Sequence, residues 1–592
     1  MPERKPLLIF DGQCGFCKIW IDYWKQLTGD RIDYAPSQEV GDRYPQIPRQ
    51  AFSESVQLVR ADGTVASGAR AVLEALGQEK TYESSRIYRA VSEWAYRLVA
   101  RHRDFFYHAT KYTFGTRIEP TRFAITQWIF LRALAVIYGI AFLSLAVQII
   151  GLIGEHGILP LQAYLEQVAK TFGGARFYAM PTVFWWGSND VSLEVVCWTG
   201  FVLSVALFFG RSQKLALILL FVLYLSLSSA GQDFLTFQWD SLLLEAGFLA
   251  IFLGRAPIVA WLFRLLVFRI NFMSGCIKLL SHDPAWRNLT ALEYHFHTQP
   301  LANFISWYAD KLPRTMLRAS TLATLIIEIG GPFLIFAPRK IRMFGAWCLI
   351  GLQILILATG NYGFFNYLTI ALCLFLFDDQ ALRRFLPEKM RAPRRTRKLR
   401  AVPRALLGMF VAAIVVLGFL RIWEMFTGAA PEPLRTIARA TAPFQVVNSY
   451  GLFAVMTTMR PEIVVEGSSD AENWKAYEFK YKPGALNRRP GWVAPYQPRL
   501  DWQMWFAALS NYQQNLWFVG LALRLLQASP PVLELLENNP FPEHPPRYIR
   551  ATVYEYTFTD WETRRKTGAW WKREPLGTYL PTVGLHADAA LR

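Results

Sequence analysis

The sequence predicts a polytopic α-helical membrane protein with about nine transmembrane helices, an N-terminal α/β domain and a C-terminal β-rich domain. Hydrophobic residues make up 53% of the 592 residues and charged residues only 18%, which is typical of integral membrane proteins with soluble parts. Strand-like alternation occurs near the N-terminus and returns after residue 428. The predicted domains are residues 1–103, a connector at 104–127, a transmembrane region at 128–427 and a C-terminal domain at 428–592.

The formal net charge of +18 is explained by the membrane rather than by nucleic acid. Lys and Arg cluster beside the apolar runs, as the positive-inside rule and anionic lipid headgroups require. The sequence contains no DNA-binding or RNA-binding motif. The lipid bilayer is therefore the predicted partner of these basic residues, and no nucleic acid is expected.

The N-terminal region predicts a small domain that stays in the cytoplasm. The apolar run before Asp11 spans only Leu7 to Phe10, which is too short for a signal peptide. The predicted elements are, in order, a strand at 6–12, a helix at 14–27, a strand at 31–35, a hairpin that turns at Asp62–Gly63 and a helix at 69–76. This order is thioredoxin-like. It places Cys14 at a helix N-terminus, where the helix dipole favours the nucleophilic thiolate.

The stretch Asp11-Gly12-Gln13-Cys14-Gly15-Phe16-Cys17 resembles the DCC-type thiol-disulfide oxidoreductase domain. The resemblance implies a redox dithiol that exchanges with a thiol or disulfide partner, with Cys14 as the attacking thiol, Cys17 as the resolving thiol and Asp11 as the acid of the motif. No proline stands immediately before the strand at 55–60, so the usual cis-proline substrate clamp is not expected. Half of a zinc site is the competing interpretation; redox chemistry is favoured because no second Cys or His pair lies nearby.

The apolar runs predict where the chain crosses the membrane. The predicted spans are 128–153, 190–209, 213–231, 237–254, 257–280, 317–337, 342–360, 363–377 and 405–427. With the N-terminus inside, Lys and Arg concentrate in the inner loops, including ten from Asp378 to Arg404. The last span then exports the C-terminal domain.

Several charged or polar residues lie in or beside these spans, where lipid offers no solvation and each needs a partner. They are Asp240, Glu245, Arg264, Arg269, Lys278, Glu328, His295 and Asn361. Two interpretations remain open: separate ion pairs that fix helix packing, or one polar pocket that binds a substrate. His295 and His297 could share a metal ion only on a strand, because two residues apart on a helix point in different directions. No metal site is predicted.

The C-terminal region predicts a β-rich domain with short helices. Strand-like alternation occurs at 463–467, 474–481 and 548–558, and amphipathic helical patterns occur at 516–527 and 531–536. No paired carboxylates, nucleophile elbow or phosphate loop stand out there.

From residue 154 to the C-terminus the chain resembles lipase maturation factors. The stretches that carry the resemblance include Gly154–Pro160, Thr236–Glu245, Asp283–Trp286, Gly360–Asn366, Pro498–Phe506 and Asn539–Pro542. In animals such proteins reside in the endoplasmic reticulum membrane and help secreted lipases to fold. The fused DCC domain looks like a bacterial arrangement. The resemblance therefore implies a bacterial inner-membrane protein with a periplasmic C-terminal domain that assists an exported client such as a lipase.

A more distant likeness suggests an alternative, enzymatic function. Gly275-x-x-Lys278-Leu279, followed by Asp283-Pro-Ala-Trp286, is similar to a stretch of the vitamin K-dependent carboxylase, in which a lysine acts as a base. This would imply a membrane enzyme acting on a lipid or quinone-like substrate. Two alternatives compete: Lys278 snorkels to the interface, or a nearby acid such as Asp283 holds it charged. No cofactor beyond a quinone or lipid is suggested. In a third hypothesis, the DCC domain alone is active, as a membrane-tethered reductase.

Overall fold

The structure, a computed structural model, describes residues 5–116, 118, 123–254, 257–383 and 401–585. The chain divides into two compact units. The first runs to Arg122 and includes 336–344 and 378–385, and the second contains the rest of the chain. Arg255 and most of the predicted basic loop between Asp378 and Arg404 lie outside the described residues.

The first unit contains a four-stranded sheet. Its strands are β1 (Leu7–Phe10), β2 (Asp33–Pro36), β3 (Gln57–Val59) and β4 (Val65–Ser67), in the order β2-β1-β3-β4. β1 pairs in parallel with β2 and antiparallel with β3, and β3 and β4 form the predicted hairpin around Gly63, whose φ of 84° suits glycine. Side chains alternate along β1, so Leu8 and Phe10 enter one apolar cluster and Ile9 enters another. The predicted α/β character of this region is confirmed.

Helices surround this sheet. The α-helices of the first unit are Gly15–Thr28, Ser37–Val40, Arg49–Glu54, Gly68–Ala75, Glu79–Ser84, Arg86–Arg101, Arg103–Thr113 and Asp379–Leu382, and the 3₁₀ helices are Gly29–Arg31 and Gly41–Arg43. The helix Gly15–Thr28 buries Ile19 and Ile21. It therefore carries the Cys-x-x-Cys at its start on a packed, fixed element.

Six helices among the described residues are long and apolar enough to cross a membrane. They are Ala124–Ala146, Asp190–Phe208, Gln213–Ala230, Pro257–Leu280, Arg339–Thr359 and Pro403–Thr427. The other three predicted spans correspond to the shorter helices Gln238–Ala250, Arg314–Ile329 and Phe365–Cys373. The 13 residues of Gln238–Ala250 rise only about 20 Å, less than the roughly 30 Å of hydrocarbon. The predicted membrane-type helical fold is confirmed, whereas the count of nine spans is not.

Short helices complete the second unit. The α-helices are Ile149–Ile153, Leu161–Phe172, Arg176–Ala179, Pro284–Arg287, Ala291–Thr298, Phe304–Asp310, Glu432–Thr441, Arg499–Ala508, Leu516–Leu526, Pro530–Leu533 and Trp561–Thr567. The 3₁₀ helices are Gly173–Ala175, Val183–Trp186, Gln232–Leu235, Gly331–Phe336, Leu374–Leu376, Ala442–Phe444 and Tyr512–Gln514.

The C-terminal sheet is fully antiparallel. Its strands are β5 (Pro461–Ser468), β6 (Lys475–Tyr477), β7 (Tyr548–Phe558) and β8 (Trp571–Gly584), in the order β6-β5-β7-β8. The three predicted strands are present. β8 was not predicted, because most of its side chains are exposed and its pairing with β7 contains register shifts, so the sequence shows no regular alternation. The sheet packs its aromatic residues against Ala302 and Trp307, which belong to the segment after Leu280.

Candidate functional site

Cys14 caps the helix Gly15–Thr28. Its sulfur accepts a hydrogen bond from the backbone N–H of Cys17 at 3.3 Å. The hydrogen bond from the Cys17 thiol, with help from this N–H and from the Arg103 guanidinium, lowers the pKa of Cys14 to about 6, although burial opposes the shift. The same hydrogen bond and burial raise the pKa of Cys17. Cys14 is therefore a thiolate at neutral pH and Cys17 a thiol, which is the division of roles that disulfide exchange needs.

Asp11 fixes the loop that carries the thiols. Its Oδ1 accepts hydrogen bonds from the backbone N–H of Gln13 at 2.9 Å and from Nε2 of Gln38 at 3.0 Å, and its Oδ2 lies 4.0 Å from Arg103. None of these bonds reaches a sulfur atom. The Asp11 charge works against the Cys14 thiolate, so the geometry gives Asp11 a positioning role.

An aromatic cavity of about 470 Å³ lies beside Cys17. Among the residues that line it are Phe16, Trp20, Trp24, Phe52, Tyr96 and Arg103. The hydroxyl of Tyr96 accepts a hydrogen bond from the backbone N–H of Val56 at 3.0 Å, just before β3. The backbone N–H of Val56, which precedes the strand, is thus already hydrogen-bonded within the domain. What the cavity offers to a bound molecule is therefore apolar contact rather than this N–H.

Asp240 is paired with Arg499, a residue of the C-terminal region. Two hydrogen bonds, of 2.6 and 2.8 Å, join the guanidinium to both carboxylate oxygens, and both side chains are completely buried. The hydroxyl of Tyr224 donates a third hydrogen bond to Asp240 at 2.5 Å. The charge of this short helix is therefore balanced by a residue 259 positions later in the chain.

Glu245 lies one turn further along the same helix and has different partners. Arg269 donates to its Oε1, while Oε2 accepts from the backbone N–H of Asn448 at 2.9 Å and from the hydroxyl of Tyr450 at 2.8 Å. Both carboxylate oxygens are satisfied, one by a membrane helix and one by the segment that follows the last span.

Lys278 forms an ion pair with Glu328. Its Nζ lies 2.7 Å from the carboxylate and donates to the carbonyl of Ser274 at 3.0 Å, and the side chain is only 3% exposed. Lys278 is therefore buried rather than snorkelling to the interface, and the acid that pairs with it is Glu328 rather than Asp283. Asp283 instead caps the helix Pro284–Arg287 and accepts from the backbone N–H of Met456 at 2.6 Å.

Arg264 and Asn361 both form hydrogen bonds with backbone groups. Nε of Arg264 donates to the carbonyl of Phe375 at 2.8 Å, and its guanidinium lies 4.6 Å from the ring of Trp261. The amide nitrogen of Asn361 donates to the carbonyl of Gly491 at 2.9 Å. Its amide oxygen accepts from the backbone N–H groups of Val493 and Ala494. Asn361 thus holds a C-terminal loop against the transmembrane region.

The two histidines lie on the helix Ala291–Thr298, so the helical alternative applies to them. Nε2 of His295 lies 3.2 Å from the hydroxyl of Tyr362, and Nδ1 of His297 lies 2.8 Å from a carboxylate oxygen of Asp310. Burial lowers the pKa of His295 to about 4, so this imidazole is neutral at physiological pH. The two side chains have different partners.

The stretch Gly154–Pro160 is bonded to the helices that begin at Leu516 and Pro530. Arg524 donates to the carbonyl of Gly157 at 2.8 Å, and Ser529 donates to that of His156 at 2.7 Å. A Cβ added at Gly520 would lie only 2.6 Å from the carbonyl oxygen of Ile158. This loop and the C-terminal helices therefore approach at backbone distance.

The predicted polar residues do not converge on shared partners: Asp240, Glu245 and Glu328 each pair with a different basic residue. Sequence reasoning missed the residues that supply several of the partners, namely Arg499, Asn448, Tyr450 and Tyr362. Arg499 and Tyr362 had a visible signal, because they stand in the stretches Pro498–Phe506 and Gly360–Asn366, which carry the family resemblance.

Comparison with known proteins identifies the family. The profile of the lipase maturation factor transmembrane domain matches residues 125–384, and that of the lipase maturation factor C-terminal domain matches residues 446–581. The chain is 36% identical to lipase maturation factor 2 of Xenopus laevis over 582 residues, which cover 77% of this chain and 82% of that protein. The chain belongs to the lipase maturation factor family.

Other members of the lipase maturation factor family are similarly related. Lipase maturation factor 1 of Bos taurus is 35% identical over 512 residues, covering 79% of this chain and 90% of that protein. Human lipase maturation factor 2 is 33% identical over 589 residues, covering 78% and 83%. Residues 8–108 match the profile of the DCC1-like thiol-disulfide oxidoreductase. No solved structure matches the chain. The resemblances to lipase maturation factors and to the DCC-type domain are confirmed.

Two of the stretches that resemble lipase maturation factors contact each other in the fold. Thr236–Glu245 supplies Asp240, and Pro498–Phe506 supplies its partner Arg499. The signature of the family therefore lies at the junction between the transmembrane helices and the C-terminal domain.

Proposed function

We propose that this protein assists the maturation of an exported client protein, a lipase being the class that the names of its relatives indicate. In this proposal the membrane helices hold the C-terminal domain as a rigid platform on which the client folds. The observation that carries the proposal is that Asp240, Glu245 and Asn361 bind the C-terminal region. Buried charges used in this way fix one arrangement of two parts of a protein.

The contacts of Lys278 give less support to the alternative function, a carboxylase-like membrane enzyme. A lysine that acts as a base must be neutral before it accepts a proton. Lys278 instead donates to Glu328 and to a backbone carbonyl, and Trp286 covers it at 5.2 Å. These contacts support a structural role for Lys278.

The proposal places the N-terminal domain in the cytoplasm and the C-terminal domain outside a bacterial inner membrane. The loops assigned by charge to the inner face, 336–344 and 378–385, belong to the same unit as the N-terminal domain. Loops assigned to the outer face bond to the C-terminal region, as at His156 with Ser529 and at Asp283 with Met456. In this topology the Cys14–Cys17 dithiol exchanges with a redox partner on the inner side, and the client does not reach it.

The client function is tested by secretion of a lipase from cells that lack the protein and are complemented with variants. We expect Arg499→Met to lower the activity per molecule of secreted lipase. The matched control Lys566→Met removes an exposed ion pair with Glu562 and should retain full activity. Equal lipase activity with and without the protein would refute the function.

The topology is tested separately with a membrane-impermeant thiol reagent. Protection of Cys14 in intact cells and its labelling after lysis support a cytoplasmic dithiol. Labelling of Cys14 in intact cells would reverse the assignment and would make direct oxidation of the client the better hypothesis.

A further inference from the structure

An apolar cavity lies between the helices Pro257–Leu280 and Pro403–Thr427; it is open on one side and, with that open space, has a volume of about 360 Å³. Leu262, Leu266, Ile414 and Ile422 contribute to its walls, Phe419 lies at its exposed side, and Gly418 leaves the space open. At its floor are Glu245 and Arg269, so the apolar walls end at a charged pair within the membrane region.

One guanidinium nitrogen at this floor is unused. Nη2 of Arg269 donates a hydrogen bond to Glu245. Nη1, although buried, donates to no acceptor among the described residues. The end of the Arg269 side chain lies against Gly418, where an added Cβ would be 3.3 Å from Cδ and 3.4 Å from Nη1. A buried donor without an acceptor costs about 1–3 kcal/mol, so an oxygen atom supplied by a ligand would be bound favourably here.

Depth and charge define the ligand. Arg269 is the thirteenth residue of the helix that begins at Pro257, about 18 Å along it. A headgroup phosphate at the interface would therefore lie roughly 15 Å away, half the thickness of the hydrocarbon. Glu245 already balances the charge of Arg269, so the site matches a neutral acceptor better than an anion.

We propose that this cavity binds a neutral lipid whose carbonyl oxygen accepts a hydrogen bond from Nη1 of Arg269. A glycerolipid ester and an isoprenoid-type quinone share this chemistry, an apolar chain with a carbonyl group. The site is independent of the maturation function, because the cavity is formed by membrane helices and needs no client.

The test measures ligand retained by the purified full-length protein in mild detergent after gel filtration. The probes are decylubiquinone, dioleoylglycerol and the anionic lipid dioleoylphosphatidylglycerol. We expect one neutral probe to bind at about one molecule per protein, and the identity of that probe distinguishes the two sources. Gly418→Leu should reduce its binding at least tenfold by filling the cavity.

The matched control is Gly408→Leu, on the same helix, where an added Cβ meets no atom within 4 Å. It should bind as the wild type does. If Gly418→Leu does not fold, Val415→Phe narrows the same cavity from its wall. The proposal is overturned if neither neutral probe binds, if binding is unchanged in a folded cavity-filling variant, or if only the anionic lipid binds.

Discussion

The Asp240–Arg499 pair allows a quantitative test of how the C-terminal domain is held. Arg499→Met removes the guanidinium and leaves the Asp240 carboxylate fully buried, with the Tyr224 hydroxyl as its one remaining side-chain donor among the described residues. Breaking one side of a buried ion pair costs about 3–5 kcal/mol. Since 1.4 kcal/mol is a factor of ten, the equilibrium for release of the domain should shift by roughly 100-fold to 4,000-fold.

Limited proteolysis of the C-terminal domain in the detergent-solubilised full chain measures this release, because protease cuts the released state. The double variant Asp240→Asn, Arg499→Met removes the orphaned charge and keeps an acceptor for Tyr224, so it should be cleaved more slowly than Arg499→Met alone. The control Arg421→Met breaks a partly exposed pair with Glu424 and should cost no more than about 1 kcal/mol. If the effects of the two substitutions simply add, the buried pair is not the cause.

Three further predictions concern other parts of the chain. The rate of Cys14 alkylation by iodoacetamide should rise with pH around a midpoint of about 6, and Arg103→Ala should move that midpoint upward; a midpoint near 9 in the wild type contradicts the thiolate. Asn361→Ala should speed proteolytic cleavage of the loop it holds by at least tenfold, because several backbone bonds of about 1 kcal/mol each are lost; an unchanged rate would show that the loop is held elsewhere. Gly520→Ala should lower stability in thermal unfolding by about 1–3 kcal/mol through a backbone clash, whereas Gly174→Ala, which faces open space, should not; equal losses would remove the clash as the reason.

Features set by neighbouring residues could be predicted from the sequence. Cys14 was placed at a helix N-terminus because a short apolar strand, a turn and a helical pattern follow one another directly. The structure has Cys14 at that cap, with its sulfur bonded to the N–H of Cys17. The hairpin at Asp62–Gly63 was recognised for the same reason, since its turn chemistry is local.

Features set by distant residues could not be predicted. That Asp240 lies in an apolar segment implied a partner, but nothing in the sequence paired it with Arg499 at a separation of 259 residues. Asp283 is closer to Lys278 in the sequence than Glu328 is. Lys278 nevertheless pairs with Glu328, because Asp283 already caps a helix. The count of nine spans is not confirmed, since an apolar run also fits a short helix buried among other helices, as in Gln238–Ala250.

The long separation of Asp240 from Arg499 also has a consequence for how the chain is made. At about 5–20 residues per second, the ribosome needs roughly 13–50 s after Asp240 to reach Arg499, and Arg499 must then cross to its partner. During this interval the short helix Gln238–Ala250 carries two acids, Asp240 and Glu245. Of their two ion-pair partners, Arg269 has been synthesised and Arg499 has not. Newly made chains therefore pass through a state in which Asp240 lacks its basic partner and the bilayer solvates its charge poorly.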